Sequence, residues 1–414
     1  MPKFFALFLC LLSLSYHAQA KHSKVKPGYW HGEFILNANQ TLPFTFEIEK
    51  EKQLSRLYII NADERIELRD ISSKGDSLFI SFSAFASEFK AKIIDKKHIQ
   101  GEWYNYAKKN NYKIPFTSER KNVSRFQKTT TPSFDVNGKW EVTFGYLSDD
   151  PYKSIGIFGP MTNRNLSTDD ENTIKGTFLT ETGDYRFLEG VSSADSLYLS
   201  TFDGSHAFLF TAKYENDTLW GDFYSGTHYH DQWFAVKNHN FQLTNPDSLT
   251  YVVNDSALTF SLPDLNNQVY NYPNKNTMGK VTLIQIMGTW CPNCLDESTY
   301  LKDLYEKFKD DLNIIAITFE TQKTQDEKIK KVKRFKEHLG LEYTFLMGGD
   351  ACKKCAKDMF PMVNNIISFP TLIFVDKKGM IRKIHTGFNG PGTGGYYTEF
   401  MIETDKYVEA LIKE

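Results

Sequence analysis

The chain has few cysteines and no excess of charge of either sign. It contains 5 cysteines in 414 residues, and its 49 basic and 51 acidic side chains leave a net charge of −2. The low cysteine density excludes a small scaffold held together by disulfides. The balanced charge argues against a nucleic-acid partner or an anionic membrane surface. A chain of this length is expected to fold into roughly two to four domains.

The sequence also lacks an apolar run long enough to cross a bilayer. Its first twenty residues instead have the pattern of a secretory signal, with Lys3, an apolar stretch over 4–14 and a small-x-small cleavage site at 18–20. Residues 1–20 are therefore predicted to be a signal peptide, and the mature protein to be periplasmic or otherwise extracytoplasmic. Cys10 lies inside the apolar stretch without small residues before it, which disfavours a lipoprotein. Peripheral or no membrane association is expected.

From about residue 24 to 243 the sequence has almost no helical period. Short segments such as 44–49 and 77–82 alternate apolar with polar residues, and Asn, Gly, Asp and Ser separate them, which is typical of antiparallel hairpins. Three short motifs recur at offsets of 110, 119 and 120 residues. They are Gly28-Tyr-Trp30 with Gly138-Lys-Trp140, 76–81 with 195–200, and 101–104 with 221–224.

These repeats predict two duplicated all-β units over 21–127 and 128–245, each a small antiparallel barrel or sandwich. The different offsets indicate an insertion in the second copy, which we assign to the polar loop 161–171. The alternative is convergence, because strands rich in aromatic residues resemble one another.

From about residue 250, strands alternate with helices. The run 281–287 is largely apolar, as expected for a strand covered on both faces, and 313–319 is predicted to be a second buried strand. A third strand is predicted at 343–347, a short helix at 356–363, and then a hairpin and a last helix. The order βαβαβαββα predicts an α/β domain over 250–414, with a central sheet covered by helices.

A CxxC motif stands where the first buried strand gives way to a helix. It reads Trp290-Cys291-Pro292-Asn293-Cys294. Unpaired N–H groups and the positive end of the helix dipole stabilise a thiolate at a helix N-terminus. Cys291 is expected to attack a substrate disulfide as the thiolate, and Cys294 to resolve the mixed disulfide. The motif therefore predicts a dithiol redox centre.

Four ordered landmarks in this region resemble thioredoxin-like proteins of the TlpA and ResA type, the exported disulfide reductases of bacteria. They are Phe260-Ser-Leu-Pro-Asp-Leu265, Gly288-Thr-Trp-Cys-Pro-Asn-Cys294, Phe369-Pro370-Thr371 and Val375-Asp-Lys-Lys-Gly379. The resemblance implies a thioredoxin-like fold and a protein-disulfide oxidoreductase that works without a cofactor. Its partners would be protein thiols and disulfides. The resemblance leaves open whether a membrane-bound protein upstream donates the electrons.

The resemblance also implies individual roles. Pro370, preceded by Phe369, would be a cis-proline lying against Cys291 and would help to position the substrate. Glu297 would be a buried acid that moves protons for the cysteines. On the residues alone, Glu297 is a carboxylate early in a helix, favoured by the helix dipole. Gln285 stands where thioredoxins carry a buried acid, so that acid–base work falls on Glu297.

A second CxxC pair, Cys352-Lys-Lys-Cys355, follows the third predicted strand. Carboxyl ends of parallel strands lie along one edge of a sheet, so this pair is expected on the side of the first. Three interpretations stay open: a local structural disulfide, a relay that exchanges electrons with Cys291 and Cys294, and a metal site. A four-cysteine zinc site is disfavoured because 57 residues separate the pairs, and no metal is predicted.

Two rival functions remain. In one, the β units capture a ligand or partner and the thioredoxin-like unit is a passenger in an adaptor protein. In the other, Met287, Met359 and Met362 near the cysteines serve copper handling, although such residues are usually core.

The glycine-rich segment 385–396 has no phosphate-loop lysine and is predicted to be a surface loop.

Overall fold

A computed structural model describes residues 25–50, 55–127, 130–161, 172–254 and 257–414. The predicted signal peptide over 1–20 and most of the polar loop 161–171 lie outside these ranges. Three units follow one another along the chain: two nine-stranded antiparallel sheets and an α/β domain. No helix in the described ranges is long and apolar enough to cross a bilayer.

The first unit is a meander of nine short strands rolled around an aromatic core. Alternate side chains point inward, and in β7 and β9 every second residue is buried. The strands are β1 (Gly28–Asn37), β2 (Gln40–Lys50), β3 (Ser55–Asn61), β4 (Glu64–Leu68), β5 (Asp70–Lys74), β6 (Ser77–Phe82), β7 (Ser87–Ile93), β8 (His98–Asn105) and β9 (Lys113–Glu119). Their order in the sheet is β4-β3-β2-β1-β9-β8-β7-β6-β5, so the barrel is nearly closed.

The second unit repeats this arrangement. Its strands are β10 (Gly138–Phe144), β11 (Tyr152–Pro160), β12 (Thr173–Thr180), β13 (Gly183–Asp184), β14 (Leu188–Ser193), β15 (Ser196–Phe202), β16 (Ala207–Glu215), β17 (Thr218–Ser225) and β18 (Tyr229–Lys237). Their order is β11-β10-β18-β17-β16-β15-β14-β12-β13. Because β11 also pairs with β12, eight strands close into a barrel and β13 is a short addition to β12.

The duplication is visible in equivalent contacts as well as in topology. Trp30 and Trp140 begin the first strand of each unit, and each is fully buried. Each indole Nε1 donates to the carbonyl oxygen four residues earlier, at 3.2 Å and 2.8 Å. Strand composition alone would not produce the same strand order and the same hydrogen bond. The prediction of two duplicated all-β units is confirmed.

The hairpin of β15 and β16 joins the two barrels, because its tip enters the core of the first. Phe202 is fully buried. Its ring centroid lies 4.8 Å from that of Phe34, 5.4 Å from that of Phe44 and 5.1 Å from that of Trp103. The Phe202 carbonyl oxygen accepts a hydrogen bond of 2.8 Å from Asn61 Nδ2. The tip of this hairpin is therefore part of the apolar core of the first barrel, while the second barrel has a core of its own.

The α/β domain has a five-stranded sheet between two layers of helices and a hairpin. Its elements are α1 (Pro246–Leu249), β19 (Phe260–Pro263), β20 (Val269–Tyr272), β21 (Val281–Met287), α2 (Pro292–Phe308), β22 (Leu312–Glu320), α3 (Gln325–Leu339), β23 (Thr344–Asp350), α4 (Lys353–Met359), β24 (Thr371–Val375), β25 (Ile381–Thr386), a 3-10 turn (Pro391–Thr393) and α5 (Gly395–Lys413). The sheet order is β23-β22-β21-β24-β25, with the first three strands parallel.

The predicted order of strands and helices is confirmed, but two boundaries move. The third strand runs three residues beyond its predicted end at Met347. The helix predicted over 356–363 instead occupies Lys353–Met359. Pro361 accounts for the earlier end, because a proline disfavours helical geometry in the residue before it. Phe360 accordingly has φ −117° and ψ 70°.

Replacing Phe202 by Ala should destabilise both barrels together. Loss of a fully buried phenylalanine leaves a cavity and typically costs about 3–5 kcal/mol. The measurement is urea unfolding followed by tryptophan fluorescence, since Trp30, Trp103, Trp140 and Trp233 are all buried in the barrels. Phe79→Ala is the control, because Phe79 is 36% exposed. Equal losses in the two variants would contradict the burial of the Phe202 ring in the core of the first barrel.

Candidate redox site

Cys291 and Cys294 lie at the start of α2. Cys291 is the N-cap residue, and its Sγ accepts a hydrogen bond of 3.3 Å from the backbone N–H of Cys294. On its other side, Sγ donates to the carbonyl oxygen of Phe369 at 3.3 Å. The bond from Phe369 to Pro370 is cis. Cys291 is 8% exposed and Cys294 is fully buried, and both are free thiols.

Trp290 anchors the loop that carries Cys291. Its indole Nε1 donates to the carbonyl oxygen of Phe319 at 2.9 Å, and its ring lies edge-on against Phe369 with centroids 5.7 Å apart. Its own carbonyl oxygen accepts a bond of 3.2 Å from Ser205 Oγ. Ser205 belongs to the turn between β15 and β16, so the tip of the barrel hairpin touches the cysteine loop directly.

Glu297 is buried beneath the cysteines, in the second turn of α2. One carboxylate oxygen accepts a hydrogen bond of 2.9 Å from Gln285 Nε2, while Ser298 Oγ donates to Gln285 Oε1 at 3.1 Å. The other oxygen, Oε1, has no hydrogen-bond partner among the described residues. Burial raises the pKa of Glu297 to about 8, although the bond from Gln285 opposes this. The first turn of α2 holds no acidic residue, so the interpretation of Glu297 as a carboxylate favoured by the helix dipole is not supported.

Burial also raises the pKa of the Cys294 thiol well above its ordinary value, and the neighbouring Cys291 adds to the effect. Gln285 Nε2 reaches the carbonyl oxygen of Cys294 at 3.4 Å as well as the carboxylate of Glu297. The backbone carbonyl group of Cys294 and the carboxylate of Glu297 thus share one donor, and burial favours the protonated form of both the thiol and the acid.

A second buried acid, Glu320, supports the loop from the other side. It is 1% exposed. Its carboxylate accepts hydrogen bonds from the backbone N–H and the Oγ1 of Thr289, at 2.9 Å and 2.7 Å. Burial raises the pKa of Glu320 to about 7. The sequence contained a signal for it, because Glu320 directly follows the second predicted strand at the edge where active sites gather.

The second pair forms a disulfide between Cys352 and Cys355 at the N-terminus of α4. Alternate residues of the sheet strands pack into two clusters on its opposite faces. Cys291 and Cys294 belong to one cluster and Cys355 packs against the other. Among the described residues, no group of three or more His, Cys, Asp or Glu side chains is placed to hold a metal ion.

Residues 182–186 of the second barrel, which we call the covering segment, lie across the cysteine loop. Ser368 Oγ donates to the Thr182 carbonyl oxygen at 2.7 Å. Asn293 Nδ2 donates to the Asp184 carbonyl oxygen at 3.3 Å. The segment therefore spans from the loop before the cis-proline to the middle of the CxxC motif.

The glycine-rich segment 385–396 packs beneath the covering segment, so its prediction as a surface loop is wrong. A Cβ atom on Gly387 would lie 2.9 Å from the carbonyl carbon of Thr182. One on Gly392 would lie 2.7 Å from the carbonyl carbon of Arg186. Glycine permits this close approach of two backbones, which explains the composition without a nucleotide site.

Arg186 ties all three units together. Its guanidinium donates to the carbonyl oxygen of Pro292 at 3.1 Å and pairs with the carboxylates of Asp296 in α2 and Glu64 in the first barrel. Asp203, in the turn that follows β15, lies 3.7 Å from its Nε. The Arg186 side chain is 9% exposed. Burial raises the pKa of Asp296 to about 7, although Arg186 opposes this. Spacing in the sequence contained no sign of this cluster.

Comparisons with known proteins agree with the geometry of the α/β domain. Residues 252–398 match the Redoxin family. The thioredoxin-like protein YneN of Bacillus subtilis is 28% identical over 131 residues, covering 32% of this chain and 69% of that protein. The thiol-disulfide oxidoreductase ResA of Geobacillus kaustophilus is 27% identical over 136 residues, covering 33% of this chain and 70% of that protein. The thiol:disulfide interchange protein DsbE of Tatumella citrea is 28% identical over 130 residues, covering 31% and 62%. The C-terminal domain is thioredoxin-like, as the resemblance predicted.

The raised pKa of Glu297 predicts how stability depends on pH. The folded protein holds this proton up to about pH 8, whereas the unfolded chain releases it near the ordinary pKa of 4.5. Glu297 therefore lowers the free energy of unfolding as the pH rises through that window. Glu297→Gln keeps the shape but does not titrate. Its free energy of unfolding should gain a few kcal/mol over wild type between pH 5 and 8, since one pKa unit is about 1.4 kcal/mol.

The measurement is urea unfolding at a series of pH values. Glu306→Gln is the matched control, because Glu306 lies on the same helix with a side chain that is 49% exposed. Its profile should run parallel to that of wild type. A Glu297→Gln profile that also ran parallel to wild type would show that Glu297 is charged in the folded protein at neutral pH.

Proposed function

We propose that the protein is an exported thiol-disulfide oxidoreductase that reduces or exchanges disulfides in extracytoplasmic proteins at Cys291 and Cys294. The observation that carries this proposal is the position of the Cys291 thiol, which lies between the N–H of Cys294 at 3.3 Å and the carbonyl oxygen of Phe369 at 3.3 Å. The N–H group stabilises a thiolate at the start of α2. The neighbouring cis-proline segment then bounds the space that a substrate disulfide enters.

The reaction transfers two electrons in two exchanges. The Cys291 thiolate attacks one sulfur of the substrate disulfide, whose S–S bond breaks as the mixed disulfide forms. The departing substrate sulfur takes up a proton. Cys294, as the thiolate, then attacks Cys291 Sγ, which forms the Cys291–Cys294 disulfide and releases the second substrate thiol. The protein is oxidised and the substrate reduced, so a further dithiol donor must restore the resting protein.

Glu297 is proposed to accept, in its ionised form, the proton that Cys294 loses in the second exchange; with a pKa of about 8, a minority of the molecules hold that form at pH 7. A thiol buried in this way does not reach solvent, and its proton needs a nearby acceptor. Glu297 shares Gln285 with Cys294, and its Oε1 is free of hydrogen bonds within the described residues. A carboxyl group with a pKa of about 8 gains and loses a proton readily near neutral pH.

The cellular setting is part of the same proposal. The secretory pattern in the first twenty residues supports an extracytoplasmic location, and the resemblance to exported reductases favours the reductase direction. A membrane-bound dithiol donor would then supply the electrons. The contacts of the covering segment with the CxxC motif favour an enzyme over a passenger domain in an adaptor protein. Met287 and Met362 are buried in the core, which favours packing over copper handling.

Serine variants of the two cysteines test the reaction. In Cys294→Ser the second exchange is blocked, so the mixed disulfide with a substrate should accumulate on Cys291. Oxidised ribonuclease is a suitable model substrate, and peptide mass spectrometry locates the bond. Cys291→Ser should form no such adduct and should reduce ribonuclease no faster than the uncatalysed reaction. A Cys291→Ser protein with wild-type turnover would refute the assignment of the nucleophile.

For the second pair we propose a local structural disulfide. The packing of Cys355 on the face of the sheet opposite Cys291 favours a separate role over a relay. In Cys352→Ser/Cys355→Ser, the redox potential of the first pair in glutathione buffers and the turnover of ribonuclease should equal those of wild type. The free energy of unfolding should fall by about 2 kcal/mol, as expected for a short disulfide loop. A shifted potential or slower turnover would support the relay instead.

A further inference from the structure

The Cys291 thiol is enclosed by parts of two units. The N-terminus of α2 and the carbonyl group of Phe369 bound it within its own domain. The covering segment crosses from Ser368, two residues before the cis-proline, to the middle of the CxxC motif. The turn of the barrel hairpin holds the carbonyl group of Trp290. Only 8% of Cys291 is exposed, and disulfide exchange requires access to the attacking sulfur.

The covering segment lies directly on the cysteine loop. A Cβ atom on Gly183 would be 2.3 Å from Asn293 Nδ2, and Gly183 has φ +141°. An extended polypeptide needs a width of about 4.8 Å to lie beside another backbone. No second chain therefore fits between the covering segment and Asn293. A protein substrate can reach the sulfur only from another direction or after the segment has moved.

We propose that Arg186 is a specificity-determining residue. It holds the covering segment over the cysteine loop, so that small disulfides react with Cys291 freely. A disulfide within a protein reacts only after the segment is displaced. This inference rests on the proposed function and states in addition which class of disulfide reacts readily with Cys291. The exchange itself is unchanged: two electrons pass from the cysteine pair to the substrate disulfide.

The charges around Arg186 explain why it would control this movement. Its guanidinium is shared by Glu64, Asp203 and Asp296, which come from different elements. Without it, Asp203 would keep His206 at 3.3 Å, but Glu64 and Asp296 would lose the cation that they share, and separation would relieve their repulsion. The bond from Asn293 to the segment is long, at 3.3 Å. Removing Arg186 should therefore raise the fraction of molecules with an open cleft, and the reaction with a protein substrate scales with that fraction.

The experiment compares wild type, Arg186→Ala and Lys175→Ala, each fully reduced beforehand. Lys175 pairs with Asp63 at 2.5 Å across the surface of the two barrels and serves as the matched control. Each of two pairs of probes differs in size but not in chemistry. The first pair is N-ethylmaleimide and a 5 kDa polyethylene glycol maleimide, which is about the size of a small protein domain. The second pair is oxidised glutathione and insulin. Rates at Cys291 are followed by quenched peptide mass spectrometry.

In Arg186→Ala, the second-order rate constants for the large maleimide and for insulin should rise at least tenfold. Those for N-ethylmaleimide and glutathione should change less than twofold. Lys175→Ala should change none of them. Equal changes for small and large probes would overturn the proposal, since Arg186 would then act on the reactivity of Cys291 rather than on access. No change for any probe would overturn it as well.

Asp296→Asn provides a second variant whose side chain keeps its shape. It should raise the ratio of the large-probe rate constant to the small-probe rate constant, by a smaller factor than Arg186→Ala does. If circular dichroism shows that Arg186→Ala is unfolded, the ratio measured for Asp296→Asn decides whether the proposal stands. The maleimide ratio measures access alone and does not depend on redox chemistry. If Cys291 reacts with maleimides but with neither disulfide, the proposed function fails while the access ratio still reports on Arg186.

Discussion

One buried guanidinium contacts all three units. Arg186 meets Glu64 of the first barrel, Asp203 of its own barrel and Asp296 of the thioredoxin-like domain, with only 9% of its side chain exposed. A buried charge is tolerated only when it is paired and hydrogen-bonded. The planar fork of arginine carries five donors, against three on the ammonium group of lysine, so it can bind several carboxylates in a fixed geometry. The environment of Cys291 is consequently set by residues more than a hundred positions away in the sequence.

Much of the architecture could be read from the sequence because local patterns decide it. The run from Val281 to Met287 is buried on both faces, so five of its seven residues are apolar, and the repeated Trp30 and Trp140 mark equivalent strands. Closure of the second barrel could not be predicted, since the pairing of β11 with β12 depends on how far the sheet curls. The signal peptide stays a prediction. Arg186 could not be recognised either, because its partners come from distant parts of the chain and no spacing connects them.

The two buried acids give the redox site an unusual electrostatic character. Glu297 and Glu320 lie on either side of the loop that carries the cysteines, and burial favours the protonated form of each. Burial therefore makes both side chains weaker acids than an exposed glutamate. Glu297 was expected from the resemblance, whereas the importance of Glu320 became clear only from its two bonds to Thr289.

The hairpin tip that carries Phe202 and Ser205 also constrains how such a protein can evolve. Phe202 completes the core of one barrel while Ser205 touches the loop beside the nucleophile. A Cβ atom on Gly204, between them, would lie 2.1 Å from the ring of Phe82. Recombination that replaced the whole redox domain would separate this tip from the cysteine loop, one of the two segments that it contacts. Substitutions in the three segments should therefore be inherited together, and related chains should show them changing in concert.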